Sequence, residues 1–323
     1  MVITNSLQTL ALAYETKSDF SQALTIWQKI LSLNPNHLEA TQKIYWLKTD
    51  VAQDCVESGD KLNKEGKIKE SVEFYQQALI LNPQQPIPTY RTFVNNLITL
   101  CRFEEAETAF QQLIKVYPEL PDGYDGYARV ANRFADWKSA LKRWSEASIK
   151  FPKNIRFQFE KGNALINLSR FYEAEAIFQE LKEKYPNHPQ CYERYARLTH
   201  NIGDWELALE RWSETTLKFP NNIDFQFEKG NALINLSRFD EAEAIFEKLK
   251  QKYPNHPQSY HGYGRLNHNI GDWESALKRW SEATLKFPNN FDFRISQINV
   301  VILGNLEKWS QVYDNFSTSL FTI

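Results

Sequence analysis

Apolar positions along this chain recur on two scales. Locally they fall three and four residues apart, the spacing that lines one face of a helix, and the helical stretches themselves repeat. Pro118, Pro152, Pro186, Pro220, Pro254 and Pro288 stand 34 residues apart, and the segment Phe157 to Phe171 returns unchanged at Phe225 to Phe239, twice that distance along. A proline lacks an N–H and restricts the residue before it, so each one marks where a second helix must end. The pattern predicts tandem helix pairs near residues 4–37, 52–85, 87–120, 121–154, 155–188, 189–222, 223–256 and 257–290. A further helix or long extension is expected over 38–51, with a bend there, and a degenerate unit over 291–323.

Counting each unit so that its closing proline is position 32 aligns the packing residues. Position 20 is Ala23, Ala106, Ala140, Ala174, Ala208, Ala242 and Ala276, with Ser71 the one departure, which suits the closest helix crossing. Position 24 is Trp27, Tyr75, Phe110, Trp144, Phe178, Trp212, Phe246 and Trp280, a large knob for the next unit. Positions 8 and 11 read Ala11/Tyr14, Gly59/Leu62, Gly162/Leu165 and Gly230/Leu233 in the better-matching units. With the closing proline, these residues resemble the tetratricopeptide repeat pattern over nearly the whole chain. The resemblance implies an all-α, right-handed superhelical solenoid of antiparallel helix pairs, about eight units plus a degenerate C-terminal one. Its concave face would be lined by the first helix of each unit.

The chain also departs from that pattern. Position 4, a Trp in the family, is Tyr90, Tyr124, Tyr192 and Tyr260 or a polar residue such as Gln158 and Gln226. Units from 121, 189 and 257 carry the pairs Trp137/Trp144, Trp205/Trp212 and Trp273/Trp280 where their neighbours carry Phe, so units are expected to pack as quartets of helices. The ninth unit regains the register only with about two residues inserted before Trp309, followed by Val312 and Phe316. Half-size repeats of RNA-processing proteins also space Trp and Ala helically, but they lack the regular closing proline.

Composition narrows the function. Lys and Arg total 38 against 40 Asp and Glu, a net charge of −2, so nothing global draws the chain to nucleic acid or anionic lipid. No apolar run is long enough to span a bilayer and Met1 to Phe20 has no signal-peptide pattern, which leads to a cytoplasmic expectation. Cys55, Cys101 and Cys191 lie far apart and form neither a CxxC pair nor a disulfide framework. Phosphate-loop, zinc-protease and nucleophile-elbow motifs are absent, so neither catalysis nor a cofactor is expected.

Candidate chemistry lies on the first helices, opposite the core stripe. Position 9 reads Asn95, Arg129, Asn163, Arg197, Asn231 and Arg265. An Asn amide matches a peptide unit's C=O and N–H, and Arg holds a carboxylate with a bidentate fork. Asn95, Asn163 and Asn231 resemble the asparagine ladder of the tetratricopeptide superhelix in protein O-GlcNAc transferases. Against this, the row equally reads as solvated residues with partners one turn away, and Asn163 and Asn231 match because their segment is duplicated. Phe159 and Phe227 at position 5 are expected either to point into the groove as anchors or to pack against the preceding unit. His200 and His268 at position 12, with His261, read as surface or peptide-contacting histidines and lack the companions of a metal site.

The expected function is a non-catalytic scaffold that binds an extended peptide or helix in its concave groove. A second reading comes from alternating GDWxxAxxRW and RFxEAEAxF units, which are similar to bacterial repeats preceding glycosyltransferase, sulfotransferase or methyltransferase domains. It makes the chain a targeting or substrate-recognition segment, or a fragment, of such a system. The apolar ending at Phe316 to Ile323 leads to an expectation of homodimerisation or partner docking there.

Overall fold

The computed structural model describes residues 2–320, with side chains described over 3–305. Trp309, Val312 and Phe316 lie outside the described side chains. The described residues are helical throughout and divide into two compact units, Met1–Ala164 and Leu165–Ile323.

In the first unit the helices run α1 (Val2–Thr16), α2 (Phe20–Leu33), α3 (Leu38–Trp46), α4 (Ala52–Lys64), α5 (Ile68–Leu81), α6 (Ile87–Thr99), α7 (Phe103–Val116), α8 (Pro121–Arg133) and α9 (Trp137–Lys150). Helix α10 (Ile155–Asn167) contains the division between units. The second unit continues with α11 (Phe171–Lys184), α12 (Pro189–Ile202), α13 (Trp205–Lys218), α14 (Ile223–Asn235), α15 (Phe239–Lys252), α16 (Pro257–Ile270), α17 (Trp273–Lys286) and α18 (Phe291–Leu320). Within each unit, helices adjacent in sequence pack side by side as hairpins, the arrangement of an α-solenoid.

Local chemistry sets where these helices begin and end. Asp19, Asp136, Asp204 and Asp272 cap α2, α9, α13 and α17, each accepting a hydrogen bond from a backbone N–H three residues on. Pro121, Pro189 and Pro257 sit in the first turn of α8, α12 and α16, where a missing N–H costs nothing. Gly203 and Gly271 close α12 and α16 with φ near +80°, a conformation that strains any residue bearing a Cβ.

The segment 38–51 is a long extension rather than a separate helix. Helix α3 runs through a π-helical turn, Leu47–Val51, directly into α4, with Leu47 and Val51 buried in the N-terminal core.

Every position-20 residue, the seven Ala and Ser71, is fully buried. Position-24 rings are buried too, at Trp27, Tyr75, Trp144, Phe178, Trp212, Phe246 and Trp280, but Phe110 stays partly exposed. The double period has a physical counterpart. Arg143 donates to the Tyr127 carbonyl at 2.8 Å, lies 3.8 Å over the Tyr127 ring and pairs with Glu107, so it ties α7, α8 and α9 together. The same clamp recurs 68 residues on as Arg211, Tyr195 and Glu175, and again as Arg279, Tyr263 and Glu243. In α18, Phe291, Ile295, Ile298 and Ile302 form an exposed apolar stripe.

Candidate functional site

In the first unit, α6, α7, α8 and the start of α10 enclose a cleft of about 700 Å³. That is the size of a ligand pocket. Its apolar lining comes from Ile87, Val94, Ile98, Phe110, Leu113 and Val130. The rim is charged. Arg91 pairs with Asp122 at 2.9 Å, and Asp125 holds Arg156 at 2.8 Å but reaches Arg129 only at 3.7 Å. Arg133, one turn beyond Arg129, places its guanidinium 5.5 Å over the Phe103 ring. The cleft therefore offers an apolar floor beneath two guanidinium groups on successive turns of α8. Asn95 and Arg129 are both exposed and line this cleft together.

Asn163, at the end of the first unit, is half-buried and donates to Glu160 Oε2 at 3.4 Å. In the second unit, Arg197 is exposed and pairs with Glu193 at 3.2 Å and with Glu228 at 3.1 Å. Asn231 donates to Glu228 Oε2 at 3.2 Å and accepts from Arg265 at 3.4 Å. These contacts make one network across α12, α14 and α16. It leaves Asn231 only 5% exposed, so this amide joins neighbouring helices instead of facing solvent.

The aromatic anchors need correcting most. Phe159 and Phe227 are 5% and 9% exposed, and Phe227 packs against Phe246 and His261 at 6.0 and 5.6 Å between ring centres. Phe227 packs within the array because the Phe246 ring, on the second helix of its own repeat, needs a cover. His200 is also tied inward: its Nε2 accepts a 3.0 Å hydrogen bond from the Trp212 indole, and the ring lies against Trp205. Position 12 serves the same end elsewhere, with Glu15 and Asn132 accepting from Trp27 and Trp144. Burial pushes the His200 and His261 pKa values down, so both rings favour the neutral form. His268 is half-buried, edge-on to Trp273. Among the described residues no group of His, Cys, Asp and Glu has the arrangement of a metal site, and no helix is long and apolar enough to cross a membrane.

Stacked helix hairpins with a cleft on their first-helix side define a helical-repeat protein of the solenoid class. Residues 126–189 and 201–257 match the tetratricopeptide repeat family model. The chain is similar in fold to a tetratricopeptide repeat protein from Parabacteroides merdae, with a TM-score of 0.53 at 13% identity over 78% of this chain and 99% of that one. It is likewise similar to yeast Tom70, with a TM-score of 0.51 at 16% identity over 91% of this chain and 60% of that one. In sequence it is 27% identical to the DnaJ protein P58IPK homolog B of Oryza sativa over 146 residues, 44% of this chain and 31% of that protein. The chain thus spans about a third of the length of the curated relatives it matches.

Proposed function

We propose that this chain is a non-catalytic scaffold that binds an extended peptide or a helix along the exposed faces of its first helices, with the cleft between α6 and α8 as the principal site. The observation that carries this reading is the cleft itself, where Asn95, Arg129 and Arg133 converge over an apolar floor. Peptide recognition needs that combination: an amide for the backbone, guanidinium groups for carboxylates and a surface that gains by losing water.

The reading predicts preference for peptides with acidic side chains near an apolar one. The test pans a random dodecapeptide library displayed on phage against the whole chain. Selected peptides should lose at least tenfold in affinity on Asn95→Ala with Arg129→Glu, both surface changes expected to alter stability by less than about 0.5 kcal/mol. Absence of selected peptides, or affinity unmoved by the double substitution, would refute it.

A further inference from the structure

The cleft has an internal counterpart that shows what it lacks. Residues 87–133 align without a gap on residues 223–269, an offset of 136 (227 − 91). Phe110 corresponds to Phe246, Ile98 to Ile234, Leu113 to Leu249, Val130 to Leu266 and Gly126 to Gly262. Both rings seat against the glycine of the following first helix. A Cβ there would lie 1.9 Å from Phe110 at Gly126 and 2.2 Å from Phe246 at Gly262. The two sites thus share a floor, a wall and a close helix approach.

They differ around the cover of that ring, where Arg91, Val94 and Asp125 stand in place of Phe227, Gly230 and His261. In the second unit Phe227 covers Phe246, which is fully buried. Its counterpart in the first unit is Arg91, whose side chain is 65% exposed and turned to Asp122, and Phe110 is left partly open in the cleft wall. Val94 replaces Gly230 and adds an apolar surface beneath the opening.

We infer that the cleft is a socket for an aromatic side chain of a bound peptide, which sits over Phe110 as Phe227 sits over Phe246. The partner supplies from outside the ring that the later unit supplies from within. Offset or edge-to-face aromatic pairs with centres 4.5–7 Å apart are favourable beyond the area they bury, and the 6.0 Å pair in the second unit falls in that range. The rim chooses the neighbour of that ring. Arg129 lies 3.7 Å from the Asp125 carboxylate and Arg133 rests on Phe103, so both guanidinium groups remain able to take an acidic side chain flanking the aromatic one. The occupant is therefore a peptide bearing Phe, Tyr or Trp beside Asp or Glu. This inference rests on the peptide-binding reading above and specifies its ligand.

The test uses the full chain and a defined probe, N-acetyl-4-fluorophenylalaninamide, observed by fluorine NMR, with the phage-selected peptides alongside. Wild type should broaden the probe signal in a saturable manner, and Arg91→Phe, which fills the socket from within, should weaken the probe at least tenfold while melting no lower than wild type. If Arg91→Phe melts lower, Ile98→Trp, which narrows the cleft from the α6 side, is read instead. Selected peptides should carry an aromatic residue whose change to Ala costs at least tenfold. Equal probe binding by wild type and the filled variant, or none by wild type, overturns the socket. Peptides that bind through Asn95 and Arg129 without an aromatic residue would overturn it too, yet leave the peptide-binding reading standing; failure to select any peptide removes that reading separately.

Discussion

Replacing Arg211 by Ala tests the clamp that gives the array its double period. The Arg211 side chain is 6% exposed and that of its partner Glu175 is 26% exposed. The guanidinium also donates to the Tyr195 carbonyl at 3.0 Å and covers the Tyr195 ring at 3.8 Å. Truncation leaves a largely desolvated carboxylate and a carbonyl without this donor. Breaking a fully buried pair costs about 3–5 kcal/mol. Because Glu175 keeps a quarter of its surface in water, the expected loss is about 2–4 kcal/mol, with the cation–π contact inside that range. Arg279→Ala should lose less, about 1–2 kcal/mol, since that pair is 17% and 39% exposed and better screened. The assay is urea denaturation followed by hydrogen exchange, which should localise the Arg211→Ala loss to α11, α12 and α13. A loss under about 0.5 kcal/mol, or equal losses for the two variants, would refute an energetic role graded by burial.

Two further outcomes follow from the packing. Gly262→Ala should destabilise by about 1–3 kcal/mol, because its Cβ meets the fully buried Phe246 ring, whereas Gly126→Ala should cost less, since Phe110 borders a cleft into which it can swing; equal losses in thermal melts would contradict this. For pH, His200 and His261 have folded pKa values lowered by burial. The stability they contribute is full above the unfolded value of about 6.5 and is lost as pH falls from there through the folded values. His200→Gln with His261→Phe should flatten that acid-side decline between pH 7 and 5, as followed by urea midpoints.

Much of the fold was legible because it is written by repetition. The closing prolines, the buried alanines and the large rings report packing that every unit repeats, so sequence alone fixes helix pairing. The continuity of α3 with α4 was less legible, since the turn at Leu47–Val51 carries neither Pro nor Gly and only burial of Leu47 and Val51 reveals its geometry. At the candidate site, counting positions identified the helix face but not the depth of each side chain. Asn95 and Asn231 share a register, yet one is exposed and the other lies beneath Glu228 and Arg265, because neighbouring helices supply the difference. The cleft itself was missed. Its signal was present as Arg91 standing where Phe159 and Phe227 stand.

The recurring Glu–Tyr–Arg clamp constrains how such a gene can grow or shrink. Its members come from three consecutive helices and return only after 68 residues, so removing one 34-residue segment would set an arginine-bearing helix beside the wrong neighbour. Gain or loss of four helices together keeps every triplet intact. Insertions and deletions in this chain's ancestry are thereby favoured in whole multiples of the longer block.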